Sequence, residues 1–179
     1  ISDMKVRGAP LIGVTAAFAV ADCMENDSSI ANLNKTCDLL SKTRPTAVNL
    51  FWALDFLKDK LSNTKDSKRA KKAHNFANIF LEDDIKKNKL IGEEGFKILA
   101  ALSKKKNNEI LNVLTHCNAG WLATVDWGTA LAPIFRANRE GVNIHVWVDE
   151  TRPRNQGGLT AWELLNEGID HTMIVDNSG

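Results

Sequence analysis

The sequence predicts an α/β protein: a helix-rich first part followed by a parallel β-α-β-α-β unit. Three short apolar runs, 110–116, 143–148 and 171–175, have strand length and are separated by amphipathic helical stretches. Each run ends on reactive or polar side chains: Cys117 after the first, Asp149 with Arg152 and Gln156 after the second, Asp176 and Asn177 after the third. Before residue 104 the apolar spacing is helical. The carboxyl ends of parallel strands form the rim where ligands bind, so these groups are expected to share one rim.

The elements follow in order. Residues 10–24 are Ala-rich and apolar, with Pro10 placed where a first helical turn needs no N–H. Residues 27–34 are polar and read as a loop. A second helix is predicted from the turn at 43–46 through Leu61, with Val48, Phe51, Trp52, Leu54, Phe56 and Leu57 as its buried face. A long helix over 70–103 carries Gly92 and Gly95, each costing about 1 kcal/mol against alanine, which makes that point a candidate break. The polar joint 104–108 is the best domain boundary, dividing residues 1–106 from 107–179. Beyond it, Asn118-Ala119-Gly120 reads as a tight turn into a helix over 123–140 that Gly141 ends. A loop over 151–158 leads into a helix over 159–167 that stops at Gly168.

The composition is that of an ordinary globular chain: 44% hydrophobic, 25% charged, net charge +1. That balance gives no reason to expect a nucleic-acid partner or an anionic membrane, and no apolar run is long enough to span a bilayer. The lysines of 65–72 and 104–106 read as solvated faces and ends of helices. Three widely spaced cysteines, Cys23, Cys37 and Cys117, read as reduced thiols, which predicts a cytoplasmic protein. A start at Ile1 and a last strand with no helix after it predict a piece truncated at both ends.

Cys117 leads the candidates. A thiol beside a helix N-terminus is favoured as thiolate, the form that acts as base or nucleophile; the alternative is a small buried hydrophobe at a strand end. His116 faces the other side of the strand, so it reads as a structural donor, and no metal site with Cys117 is expected. Asp176, placed among apolar neighbours, is expected to have a raised pKa suited to a general acid, or else to cap a following helix. Asp149 and Glu150 face the same choice, or hold the Arg152 loop by charge pairing. Arg7 and Arg44 each sit in a turn before a helix, a pairing of guanidinium and free N–H groups that suits a phosphate. Gly8 and Ala9 leave room for the backbone to approach such a ligand. No nucleotide-binding glycine pattern is present.

Six ordered motifs resemble the methylthioribose-1-phosphate isomerase family. They are Val6-Arg7-Gly8-Ala9-Pro10, the run 44–50, Leu114-Thr115-His116-Cys117-Asn118-Ala119-Gly120, the run 148–153 with Gln156-Gly157, the run 159–164, and Asp176-Asn177. The resemblance implies a helix-rich N-terminal domain, a Rossmann-like C-terminal domain and a homodimer. It implies isomerisation of the sugar phosphate 5-methylthioribose 1-phosphate to 5-methylthioribulose 1-phosphate in methionine salvage, with no cofactor and no metal. It also implies catalytic positions at Cys117 and Asp176 and substrate-binding positions at Arg7, Gly8, Ala9, Arg44 and Gln156. The family continues beyond the position of Gly179. Two relatives compete with this reading: ribose-1,5-bisphosphate isomerase, and the non-catalytic regulatory subunits of the translation-initiation exchange factor.

Overall fold

The computed structural model describes residues 1–179. The chain divides into two compact units, Ile1–Asp84 and Ile85–Gly179. The division falls inside a 40-residue helix, α4 (Asp66–Lys105), well ahead of the polar joint at 104–108. The last turns of α4 belong to the second unit because Phe96 and Leu99 pack against its sheet core.

The first unit packs α1 (Ala9–Asn26), α2 (Ile30–Ser41) and α3 (Val48–Ser62) with the start of α4. Helix α2 replaces the loop expected at 27–34. Ser29 caps it by accepting from the Asn32 N–H at 3.2 Å, and Leu33 and Cys37, one turn apart, are buried. On α3 the buried stripe is Leu50, Ala53, Leu54, Leu57 and Leu61, at helical spacing. Val48 is 78% exposed and Trp52 54%, so the inward face is rotated from the one expected. Arg69, almost fully buried, ties the interhelical turns together by donating to the carbonyls of Ser28, Leu61 and Thr64 and to Asp66. A buried guanidinium needs that many acceptors to offset its lost hydration.

The second unit has the predicted alternation. Strands β1 (Leu111–Thr115), β2 (Ile144–Asp149) and β3 (His171–Ile174) pair in parallel in the order β1-β2-β3, with Val113 opposite Val146 and Val148 opposite Met173. Helices α5 (Ala132–Arg139) and α6 (Gly157–Asn166) lie on one face. There Leu131, Ile134, Phe135 and Leu164 pack on Leu111, Ile144, Val146 and Val148. Side chains alternate along a strand, so the opposite face shows Leu114 and Trp147, 52% and 37% exposed.

The helix expected over 123–140 is corrected to eight residues. A single 3-10 turn, Trp121–Ala123, follows Cys117, and α5 begins only at Ala132, with Pro133 in its first turn. Between them Trp127 and Gly128 have φ of 71° and 79°, which ends any helix. Thr124 Oγ1 accepts from the Gly128 N–H, and the Thr129 N–H donates to the Ala119 carbonyl. A Cβ on Gly128 would lie 2.5 Å from Gly120 Cα, so glycine is required where the two loops cross.

Helix α4 does not break at its glycines. Their missing Cβ atoms let the helix approach α5: a Cβ on Gly92 would stand 3.3 Å from Ala132, and one on Gly95 would overlap the Pro133 ring. Gly95→Ala gains about 1 kcal/mol of helix propensity but overpacks a rigid ring, which costs about 1–3 kcal/mol. The variant is expected to unfold at lower urea concentration than the parent; an equal or higher midpoint would show that the close approach does not limit stability.

Candidate active site

The chain leaves β1 through His116 and enters a turn at Cys117 with φ of 66°. Two threonines hold that residue. Its N–H donates to Thr151 Oγ1 at 2.8 Å, and its carbonyl accepts from Thr160 Oγ1 at 2.7 Å. The thiol is half-buried. Cys37, by contrast, is buried in the helical unit, and its thiol is pushed up to about 11 by desolvation, which leaves it unreactive at neutral pH.

Thr151 lies just beyond β2 with φ of 57° and is buried. Its hydroxyl donates to the Asp149 carbonyl at 3.1 Å, and its N–H donates to Asp176 Oδ1 at 2.7 Å. The Arg152 N–H donates to Asp176 Oδ2 at 2.8 Å. One two-residue segment after β2 thus binds the backbone of Cys117 on one side and the carboxylate of Asp176 on the other. Gln156 ends the same loop, half-buried at the start of α6. Gly157 follows because a Cβ there would collide with the Asp149 carbonyl. The structure therefore brings Cys117, Asp176 and Gln156 to one rim.

Two electrostatic expectations are corrected. Asp176 is exposed rather than set among apolar neighbours, and the Arg152 and Thr151 amides hold its carboxyl below the ordinary carboxylate value. It stands as a carboxylate, not as a neutral acid. The helix expected to begin just after Cys117 is only the 3-10 turn Trp121–Ala123, and the Cys117 carbonyl instead meets Thr160 in the first turn of α6.

The neighbouring polar groups also differ from expectation. Asp149 is buried and pairs with His116, Nδ1 to Oδ2 at 3.1 Å, rather than with Arg152. His116, Asp149 and Asp176 bring ligand atoms within 4.8 Å of one another, a spacing that a cation could bridge. Asp149 Oδ2 and both Asp176 oxygens have protein partners, while the buried Asp149 Oδ1 has none. The Asn118-Ala119-Gly120 corner is braced by α6 through the Asn118 side chain. The Asn118 amide donates to Glu163 Oε1 at 2.7 Å and to Thr160 Oγ1 at 3.3 Å, and the Leu122 N–H also reaches Glu163 Oε1, at 3.3 Å.

In the helical unit, Arg7, Ala9, Ile12, Arg44, Thr46 and Asn49 line a cavity of about 340 Å³. Gly8 and Ala47, the residues before α1 and α3, supply no side-chain cap, so first-turn N–H groups of both helices remain for other acceptors. The Arg44 guanidinium contacts Met4 Sδ at 3.6 Å. Two guanidinium groups beside two uncapped helix starts make an anion-binding setting.

Sequence reasoning missed Thr151, Thr160 and Glu163. The last two left a signal: polar residues at i and i+3 on the stripe of α6 that also carries the buried Leu164. Thr151 left none, because its role follows from strand register.

A helical unit joined to a parallel α/β unit whose strand tips carry the polar groups defines the class: a two-unit protein with a Rossmann-like sheet. The chain belongs to the Initiation factor 2 subunit family, whose pattern matches residues 5–178. Among curated relatives it is 55% identical to a methylthioribose-1-phosphate isomerase of Rhizobium meliloti (strain 1021), across all of this chain and 50% of that protein. The crystal structure of 5-methylthioribose 1-phosphate isomerase from Pyrococcus horikoshii OT3 superimposes with a TM-score of 0.83 at 35% identity, over 99% of this chain and 50% of that one. The translation initiation factor eIF-2B, subunit delta, from A. fulgidus follows with a TM-score of 0.79 at 37% identity, over 98% of this chain and 52% of that one. The chain spans about half the length of the curated relatives it matches. No helix is long and apolar enough to cross a membrane.

The lowered pKa of Asp176 sets a pH signature. The stabilisation it provides is complete above the unfolded value near 3.8 and is lost as pH falls through the lower folded value. Asp176→Asn should therefore unfold more easily than the parent at neutral pH, with the gap closing on acidification below that window. A gap that widens towards low pH in urea titrations would refute the carboxylate assignment.

Proposed function

We propose that the protein is an aldose-ketose isomerase that converts 5-methylthioribose 1-phosphate to 5-methylthioribulose 1-phosphate. The observation that carries this reading is the linkage of Cys117 and Asp176 through Thr151, a thiol and a carboxylate held on one rim segment. The identity to named isomerases supports it.

The reaction asks for these residue types. Phosphate on the anomeric oxygen prevents simple opening to a free aldehyde, so ring opening needs proton delivery to the ring oxygen. In the net change the hydrogen on C2 moves to C1, and the proton of the C2 hydroxyl ends on the former ring oxygen at C4. A carboxylate at Asp176 can accept the hydroxyl proton and pass it to that oxygen, returning to its starting state each turnover. Cys117 as thiolate can carry the C2 hydrogen to C1 as a proton, or stabilise charge while it moves as hydride. Solvent deuterium appearing at C1 marks the proton route. In this proposal Arg7, Gly8, Ala9 and Arg44 hold the phosphate, and Gln156 a sugar hydroxyl. The three unpaired cysteines support a cytoplasmic, reducing setting, and the apolar surface left by Val48 and Trp52 supports a homodimer.

The test is turnover of 5-methylthioribose 1-phosphate by the protein at full length, with ribose 1,5-bisphosphate as competitor. Cys117→Ser and Asp176→Asn are each expected to lower kcat by about 10²-fold or more, with thermal unfolding still cooperative. Near-parental turnover in either variant would overturn its role. Preference for the bisphosphate would move the substrate to that relative's, and no turnover of either would leave a binding scaffold.

A further inference from the structure

We infer that Glu163 is a positioning residue for the reacting thiol, holding the turn that carries Cys117 from beneath through Asn118 and Leu122. The inference rests on the reading of Cys117 as the reacting group.

Glu163 is 0% exposed, in the last turn of α6. A carboxyl there costs free energy unless the fold uses its oxygens. The use is specific: Oε1 accepts from the Asn118 amide at 2.7 Å and from the Leu122 N–H at 3.3 Å. Thr160, one turn earlier and also 0% exposed, binds the Cys117 carbonyl and receives the Asn118 amide. A single face of α6 thus binds residues 117, 118 and 122 at once. An apolar residue at 163 would leave the Leu122 N–H without this acceptor and the Asn118 amide with only its longer, 3.3 Å bond to Thr160 Oγ1.

The fit is mutual at Gly120. It lies directly over Glu163 Oε2, and a Cβ there would occupy the position of that oxygen. Oε2 has no hydrogen-bond partner, and burial pushes the carboxyl above its ordinary value. A glutamine amide has the same shape and keeps the accepting oxygen. The Glu163 carboxyl hydrogen-bonds to Asn118 and Leu122, not to Cys117 or Asp176. Its effect is on where the thiol stands, and a misplacement of about 1 Å costs up to about 10²-fold in rate.

The experiment compares the parent, Glu163→Leu, Glu163→Gln and Thr160→Val in the full-length protein. Two quantities are read: isomerase kcat and KM, and the rate at which iodoacetamide alkylates Cys117 without substrate, located by peptide mass. Glu163→Leu should lower kcat by about 10- to 100-fold with KM within about twofold, and should shift the alkylation rate at Cys117 severalfold. Glu163→Gln should recover most of both, because acceptor and shape are kept. Thr160→Val, which removes a hydroxyl and not a charge, should follow Leu in direction and serves if Glu163→Leu does not fold. An unchanged alkylation rate in a folded Glu163→Leu or Thr160→Val protein would overturn the inference, as would a Gln variant no better than Leu. If the parent isomerises neither sugar phosphate, the functional reading fails, while the alkylation comparison still decides whether Glu163 places the thiol.

Discussion

Everything at the rim hangs on the two-residue segment that follows β2. Thr151 accepts the Cys117 N–H through its hydroxyl and donates its own N–H to Asp176, while Arg152 donates to the other carboxylate oxygen. This segment is central because parallel pairing puts β2 between β1 and β3. The tips of the outer strands are then each one strand spacing from the middle one. A backbone N–H and a short hydroxyl span that distance without flexible side chains. The thiol and the carboxylate are therefore placed by backbone geometry, the most rigid means a fold has.

The second constraint lies below the rim. Helix α6 turns a polar face, Thr160 and Glu163, inward, and the turn after β1 supplies the groups that face needs. Close packing around this polar contact depends on glycines. Gly120 admits Glu163, Gly128 admits the Gly120 backbone, and Gly157 lets α6 start against the end of β2. A side chain at any of the three would push apart elements whose spacing sets the site. Asn118 and Gly120, in the turn after Cys117, therefore serve the support beneath it.

The helical unit contributes different chemistry. Its arginine-lined cavity joins first-turn N–H groups of α1 and α3 to two fixed positive charges, a setting suited to a phosphate and to little else on this chain. The α/β unit supplies a thiol and a carboxylate held on one rim segment. The proposed isomerisation of a phosphosugar would draw on one function of each kind.

The alternation of strand and helix after residue 108, the parallel sheet and the clustering of polar groups at its strand tips were legible in the sequence. Period-2 and period-3.6 patterns record which face each residue presents to a core, and strand ends mark themselves by a change of chemistry. Pro10 marks a helix start for a similarly local reason. What the sequence could not determine depends on partners distant along the chain. The pattern at 123–131 reads as helix, yet bonds from Thr129 to Ala119 and the crossing of Gly128 over Gly120 make it a loop. Asp176 reads as a buried acid, yet two amides from a loop 24 and 25 residues earlier hold it as an exposed carboxylate. The sequence by itself determined which groups reach the rim. Only the tertiary structure decided their protonation and support, because both are set by desolvation and by hydrogen bonds between segments that no local spacing relates.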